Sequence, residues 1–201
     1  VLAFSHAATL LASGGWEGGV RLWAMPGAVR AGRWKAHESS VNGLAFSADD
    51  RLLITAGYDG ELVAWRLGGI VARRVTTGQP VTHMVASTQR DRMLTGHADG
   101  SVRVWRLGDF SLLDERRLHR GKVRAVAIDG ERGRYASSGA DGAVYTWTGD
   151  GDVIALESPP SDAWSLAFSP DGRYLYGGTW FRLLRWDLEV PVLAVLWTEH
   201  Y

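Results

Sequence analysis

Two stretches of the sequence carry side chains that could, by their types, form a hydrolytic site. Each stretch combines an imidazole, a hydroxyl and a carboxylate at identical spacing: His37, Thr55 and Asp59, then His119, Ser137 and Asp141. These are the functional groups of a nucleophile–base–acid triad. Because a catalytic triad is not expected twice in successive repeats, we predict a structural role for both sets and a protein that is not an enzyme.

A tryptophan follows each set, Trp65 after the first and Trp147 after the second. A third set lies between them and has Thr77 where the histidine is expected. Its remaining members are Thr95, Asp99 and Trp105. A tryptophan packed between sheets buries a large apolar area but needs a partner for its indole N–H. The sequence therefore predicts buried hydrogen-bonded networks that stabilise the fold.

No pattern in the sequence indicates a metal or cofactor site. The chain has no cysteine, and its other histidines lack the His-x-x-x-His type of spacing. The glycines lie in hairpins rather than in a phosphate-binding loop between a strand and a helix. His97 is predicted to lie in a hairpin turn, solvated and close to Asp99. We therefore expect no metal and no cofactor.

These residues belong to a repeated hairpin, read most clearly in residues 52–67, LLITAGYDGELVAWRL. Two apolar runs flank Asp-Gly, which predicts a two-residue turn with positive φ at both central positions. The same unit returns at residues 93–107 and 135–149, and in altered form at 10–25 and 175–188. Five copies of one hairpin indicate a repeat protein.

The tryptophans near the end of each hairpin recur about every 40 residues: Trp23, Trp65, Trp105, Trp147 and Trp186. This period, with several short strands in each unit, is typical of β-propeller blades. We predict an all-β propeller of four-stranded antiparallel blades. The five expected blades span residues 1–35, 36–76, 77–118, 119–157 and 158–201.

The repeats resemble those of the WD-repeat (WD40) family over essentially the whole chain. The resemblance implies that the recurring His, Ser/Thr, Asp and Trp form one buried network in each blade. The first unit departs from the pattern with Glu17 for Asp, and the fifth keeps only Trp186 of the network. Propellers of this family most often have seven blades, so we expect these five to be part of a larger ring. A ring closed with five blades is the alternative.

Charge and hydropathy exclude two classes of partner. Lys and Arg together number 22, as do Asp and Glu together, so no net field favours nucleic acid or anionic lipid. No apolar run approaches the ~18–20 residues of a membrane helix. We expect a protein or peptide partner, and neither nucleic acid nor direct membrane insertion.

The resemblance also implies a binding face. In the family, the loops before the inner strand and between the two middle strands lie on one face, which commonly binds partners. Trp and Tyr at exposed tips are enriched at interaction hot spots, although local packing between blades is the alternative for each. The candidate residues on this face are Trp16, Tyr58, His97, Lys122, Arg124, Trp164 and Trp180.

Two functions follow from this interpretation. The first is a non-catalytic scaffold for protein–protein interaction, which could be a subunit of a larger complex. The second is an accessory or sensor propeller of a larger enzyme or electron-transfer protein. A cytoplasmic location is the default expectation, while a periplasmic or extracellular one stays open.

Overall fold

The computed structural model describes residues 1–149, 151–158, 162–190 and 192–198. Every regular element in these residues is a β-strand. The strands form five sheets, each with four strands that pair with their neighbours in chain order. All of these pairs are antiparallel. The prediction of an all-β propeller with four-stranded antiparallel blades is confirmed.

The strands have the following bounds. The first three blades contain β1 Leu2–Phe4, β2 Leu10–Gly14, β3 Gly19–Ala24, β4 Val29–Lys35, β5 Val41–Phe46, β6 Leu52–Gly57, β7 Glu61–Arg66, β8 Ile70–Thr76, β9 Val81–Ser87, β10 Arg92–His97, β11 Ser101–Arg106 and β12 Leu112–Arg117. The fourth and fifth contain β13 Val123–Asp129, β14 Arg134–Gly139, β15 Val144–Thr148, β16 Ile154–Leu156, β17 Ser165–Phe168, β18 Tyr174–Gly178, β19 Arg182–Asp187 and β20 Val192–Thr198. In the part of the chain that the structure describes, no helix is long and apolar enough to cross a membrane.

The first strand of each sheet is the inner strand of its blade. The inner strands of successive blades are neighbours, in the order β1, β5, β9, β13 and β17. The two middle strands of blades two and three are almost entirely buried, whereas the outer strands β4, β8 and β12 are mostly exposed. This burial on both faces explains why the middle strands are apolar runs rather than alternating sequences.

The hydrophobic core lies between the sheets. Each pair of successive blades shares one cluster of buried side chains. Between blades one and two, for example, Val20 packs with Leu53 and Trp65. The tryptophan that marks the repeat therefore contributes to a junction between blades as well as to its own sheet.

The Asp-Gly hairpin differs from the predicted two-residue turn. Only Gly60 has a positive φ, at 80°, and Asp59 does not. The Gly60 N–H donates to the Gly57 carbonyl at 3.1 Å, and β7 begins at Glu61. A type I turn followed by a left-handed glycine has this geometry. The prediction of positive φ at both positions is wrong, because Asp59 instead serves as an acceptor for the Glu61 N–H.

The inner strands of the first and last blades are more exposed than those between them. Phe4 of β1, for instance, is 59% exposed, whereas Phe46 of β5 is 3% exposed. A blade with a neighbour on each side buries both sheet faces, and a blade with one neighbour leaves one face accessible. The seven-bladed ring and its five-bladed alternative both stay predictions.

Close packing of adjacent inner strands gives a first test. A methyl group at Gly43 would overlap the Met84 side chain of the next blade and lie 3.2 Å from the Ala56 methyl group. We expect Gly43→Ala to lower the free energy of unfolding by about 1–3 kcal/mol, because overpacking displaces its neighbours. Gly149→Ala is the control, since its methyl group would have no atom of the described residues within 4 Å. Equal urea-unfolding midpoints for the two variants would contradict this packing.

Candidate functional site

The hairpin between the middle strands and the segment leading into the inner strand lie on the same side of a blade. The Tyr58 N–H donates to the Ser40 carbonyl, and the Ala140 N–H donates to the Lys122 carbonyl, both at 2.9 Å. These backbone hydrogen bonds hold the hairpin tips and the lead-in segments together. We call the side of the molecule that carries both the hairpin face.

A concavity of about 540 Å³ opens on the hairpin face, and all five blades contribute residues to its wall. Five of the predicted binding residues line it: Trp16, Tyr58, Lys122, Arg124 and Trp164. Trp16 is 92% exposed, Tyr58 43% and Trp164 42%. The structure thus brings together residues that are far apart in the sequence and leaves their aromatic rings accessible.

Trp164 is the centre of a smaller cluster at the edge of this concavity. The Arg124 guanidinium lies 4.1 Å from the centre of its ring, and Trp180 meets it edge-on at 5.4 Å. The Asp162 carboxylate binds the same guanidinium at 2.9 Å. Trp180 does not line the concavity but is 72% exposed. Both tryptophans therefore pack locally and still present aromatic surface.

His97 does not lie on the hairpin face. Its side chain is buried, with 0% exposure, and its Nε2 lies 2.8 Å from Thr95 Oγ1. Its Nδ1 lies 3.3 Å from the Gln79 carbonyl oxygen. The predictions that His97 is a solvated neighbour of Asp99 and a candidate for partner binding are wrong, because the ring is enclosed within blade three.

In blade two, a chain of hydrogen bonds runs beneath the hairpin. The Trp65 indole N–H donates to Thr55 Oγ1 at 3.0 Å, which lies 2.6 Å from His37 Nε2. His37 Nδ1 lies 3.0 Å from an oxygen of Asp59. Burial lowers the pKa of His37, so its ring is neutral. Since a carboxylate can only accept, Nδ1 carries the proton and the Thr55 hydroxyl donates to Nε2.

Blade four repeats most of this chain. His119 Nδ1 lies 3.0 Å from Asp141, and His119 Nε2 lies 2.9 Å from Ser137 Oγ. The Trp147 indole N–H, in contrast, has no hydrogen-bond partner among the described residues. Its ring instead packs 5.7 Å from that of Tyr135. The expected bond between Trp147 and the network is therefore absent from this part of the structure.

In blade three a different histidine completes the chain. The Trp105 indole N–H donates to Thr95 Oγ1 at 2.8 Å, and His97 occupies the other side of that hydroxyl. Asp99 does not bond to the imidazole, and accepts instead from the backbone N–H and hydroxyl of Ser101. The backbone carbonyl of Gln79 takes the place of the carboxylate as the acceptor from Nδ1.

The glycines of blades two and four explain this exchange. Gly57 and Gly139 stand where blade three has His97, and a side chain at either would overlap the imidazole of His37 or His119. A lead-in histidine and a side chain at this position therefore exclude each other. Thr77 leaves the space open in blade three. The sequence carried this signal as two departures in one repeat, a missing histidine and an extra one two residues after Thr95.

The buried network also contains the side chains that, by their types, could act in catalysis or bind a metal. Thr55 and Ser137 are both 0% exposed, so neither hydroxyl is accessible to a substrate. The ligand atoms of His37, Asp59 and Glu61 lie within 4.8 Å of one another. Both nitrogens of His37 are hydrogen-bonded, and Glu61 pairs with Arg74 at 2.9 Å. Each of these three side chains therefore already has a side-chain partner within blade two.

Repeated four-stranded blades with neighbouring inner strands, and a buried histidine–hydroxyl bond in each of the three middle blades, define a repeat-built β-propeller. The sequence profile of the family described as "WD domain, G-beta repeat" matches residues 1–24, 29–66, 72–106 and 153–187. The protein belongs to this WD40 family, whose members generally act as scaffolds for protein interaction and are generally non-catalytic. The matched ranges leave out residues 107–152, where the structure nevertheless contains strands β13 to β15 of the fourth blade.

Several curated proteins are similar to parts of the chain. It is 37% identical over 73 residues to the guanine nucleotide-exchange factor SEC12 of Rattus norvegicus, covering 36% of the chain and 17% of that relative. It is 32% identical over 130 residues to Transducin beta-like protein 3 of Rattus norvegicus, covering 62% and 16%. It is 30% identical over 197 residues to Cilia- and flagella-associated protein 52 of Homo sapiens, covering 84% and 30%. The chain thus spans about a third or less of the length of these relatives.

The different bonding of the two turn carboxylates gives a second test. Asp59 accepts from the His37 ring and from the N–H groups of Glu38 and Glu61, whereas Asp99 bonds only to Ser101 among the described residues. We expect Asp59→Ala to lower the free energy of unfolding by about 1–3 kcal/mol and Asp99→Ala by less than about 1 kcal/mol. Chemical denaturation of both variants measures this, and the reverse order would refute the assignment.

The buried ring of His97 predicts a pH dependence of stability. Burial, with a contribution from Arg103, lowers its pKa to about 4, whereas an unfolded histidine titrates near 6.5. Between about pH 6.5 and 4 the unfolded chain binds the extra proton, so stability falls as the pH decreases. For this group the loss reaches about 3 kcal/mol.

His97→Gln is the matched variant for this test. Glutamine keeps a polar side chain near Thr95 but does not titrate, so unfolding free energies measured from pH 7 to pH 4 should change less than in the parent protein. The pKa values of His37 and His119 are also lowered by burial, which leaves part of the slope in the variant. Identical slopes in the two proteins would show that His97 is not the titrating group.

Proposed function

We propose that the protein is a non-catalytic scaffold that binds a protein or peptide partner through the hairpin face. The observation that carries this proposal is the concavity of about 540 Å³, whose wall combines exposed aromatic rings of three blades with the two cationic side chains of blade four. Aromatic residues and arginine are enriched at protein interfaces. A concavity of this composition fits a polypeptide segment better than a small uncharged molecule.

The aromatic rings on this face are well placed to contribute binding energy. Trp16 is 92% exposed at the tip of the β2–β3 hairpin, and burying a ring of this kind removes about 150–250 Å² from water. The turn that presents Tyr58 is held by the buried network of His37 and Asp59. A preorganised turn loses little conformational entropy on binding.

A second candidate function is an accessory propeller within a larger protein. The supporting observation is that the chain corresponds to only 17% and 16% of two of its relatives. The catalytic, haem-binding or membrane part would then lie outside the sequence considered, and the same hairpin face could contact it. The full reading frame distinguishes the two candidates. For either one, a cytoplasmic location remains our working proposal.

Capture of partners from a cell extract tests the proposed face. We expect Trp16→Ala combined with Tyr58→Ala to abolish the capture of partners identified by mass spectrometry, without a change in the melting temperature. Phe4→Ala is the control, because Phe4 is an exposed aromatic residue that lines a separate concavity. Capture that survives the double substitution, or is lost equally with Phe4→Ala, would argue against this face.

A further inference from the structure

The charge of the concavity on the hairpin face is of one sign. Among the described residues of its wall, Lys122 and Arg124 carry charged side chains, and both are cations. The protein as a whole has 22 basic and 22 acidic residues, so this local composition departs from the overall balance. The wall therefore favours a negatively charged group of a ligand.

The two cations are not equivalent. The Asp162 carboxylate neutralises Arg124 at 2.9 Å, and the Trp164 ring covers one side of the guanidinium. Lys122 is exposed, and no carboxylate pairs with it within the described residues. One positive charge on the wall is thus left without a counter-ion.

A hydroxyl on the same wall also lacks a partner. Thr82, the second residue of β9, lines the concavity, and its buried Oγ1 has no hydrogen-bond partner among the residues that the structure describes. A buried polar group without a partner costs free energy, which an entering acceptor can recover. The Thr82 hydroxyl needs a hydrogen-bond acceptor, and the Lys122 ammonium favours a negatively charged one. A single anionic acceptor in a ligand would satisfy both groups.

We propose that the concavity binds the carboxylate of a glutamate or aspartate side chain from a peptide partner, with Lys122 as the counter-ion. The aromatic rings of the wall, Trp16, Tyr58 and Trp164, would then cover the residues that flank this acidic residue in the peptide. This inference rests on the proposed function and specifies the chemistry of the partner. A phosphorylated side chain carries nearly two negative charges and is usually bound by a cluster of arginines. Among the charged side chains that the structure describes on this wall, Lys122 alone lacks a counter-ion, which matches a carboxylate.

Selection from a display library of random linear peptides provides the test. Peptides whose binding requires Trp16 should share a glutamate or aspartate at one position. For such a peptide, Lys122→Met should raise the dissociation constant about fivefold, the upper range for a solvent-exposed ion pair. Arg120→Met is the matched control, because Arg120 is exposed nearby but does not line the concavity, and it should leave the constant unchanged.

A charge exchange completes the test. Lys122→Glu should weaken the acidic peptide further, and a peptide with lysine in place of its acidic residue should regain affinity for this variant. Trp16-dependent peptides with no shared acidic residue would overturn this inference while leaving the proposed function intact. If no selected peptide depends on Trp16 or Tyr58, the proposed function fails as well. A phosphoserine peptide that binds more tightly than its glutamate version, with the same dependence on Lys122, would overturn the choice of carboxylate.

Discussion

A buried hydroxyl bonded to an imidazole is the interaction on which the three middle blades depend, and in blades two and three the hydroxyl also accepts from an indole N–H. In blade two the hydroxyl of Thr55 receives the N–H of Trp65 and donates to the ring of His37. Trp65 lies on the third strand of the blade, Thr55 lies on the second strand, and His37 lies in the segment before the first strand. The chain of hydrogen bonds therefore fixes the order and register of a blade from inside, where water cannot compete.

The position of the hairpin tip on the proposed binding face depends on this internal order. Asp59 bonds to the His37 imidazole, to the Glu38 N–H of the lead-in segment and to the Glu61 N–H at the start of β7, so the tip that carries Tyr58 has a defined position. Residues of all five blades line the concavity beside these tips. Under the proposed function, stability and recognition would use different side chains of the same short segments, buried ones for the first and exposed ones for the second.

The repeat and the strands could be predicted from the sequence because they follow from local patterns. The spacing of the tryptophans indicates the fourth blade even though the family profile leaves out residues 107–152, which contain three of its strands.

The predicted turn type of the Asp59-Gly60 hairpin is wrong because Asp-Gly is compatible with more than one hairpin geometry. The pairing of Arg124 with Asp162 could not be predicted, since it joins segments that only the packing of two blades brings together. The burial of His97 follows only when the two departures in its repeat are taken together, because His97 bonds to the hydroxyl that the missing histidine would otherwise contact.

The alternative histidines of the repeats restrict how this protein can be engineered or can evolve. A histidine introduced at Thr77 alone would bring a second imidazole to a hydroxyl that His97 already occupies. Glycine introduced at position 97 alone would remove the acceptor for that hydroxyl. Each single step is unfavourable, while the double exchange restores the arrangement of blades two and four, which is sign epistasis between two neighbouring positions. A consensus repeat that takes each position independently would choose the lead-in histidine of blades two and four together with the glycine at the position of His97, and so would lose the separate solution of blade three.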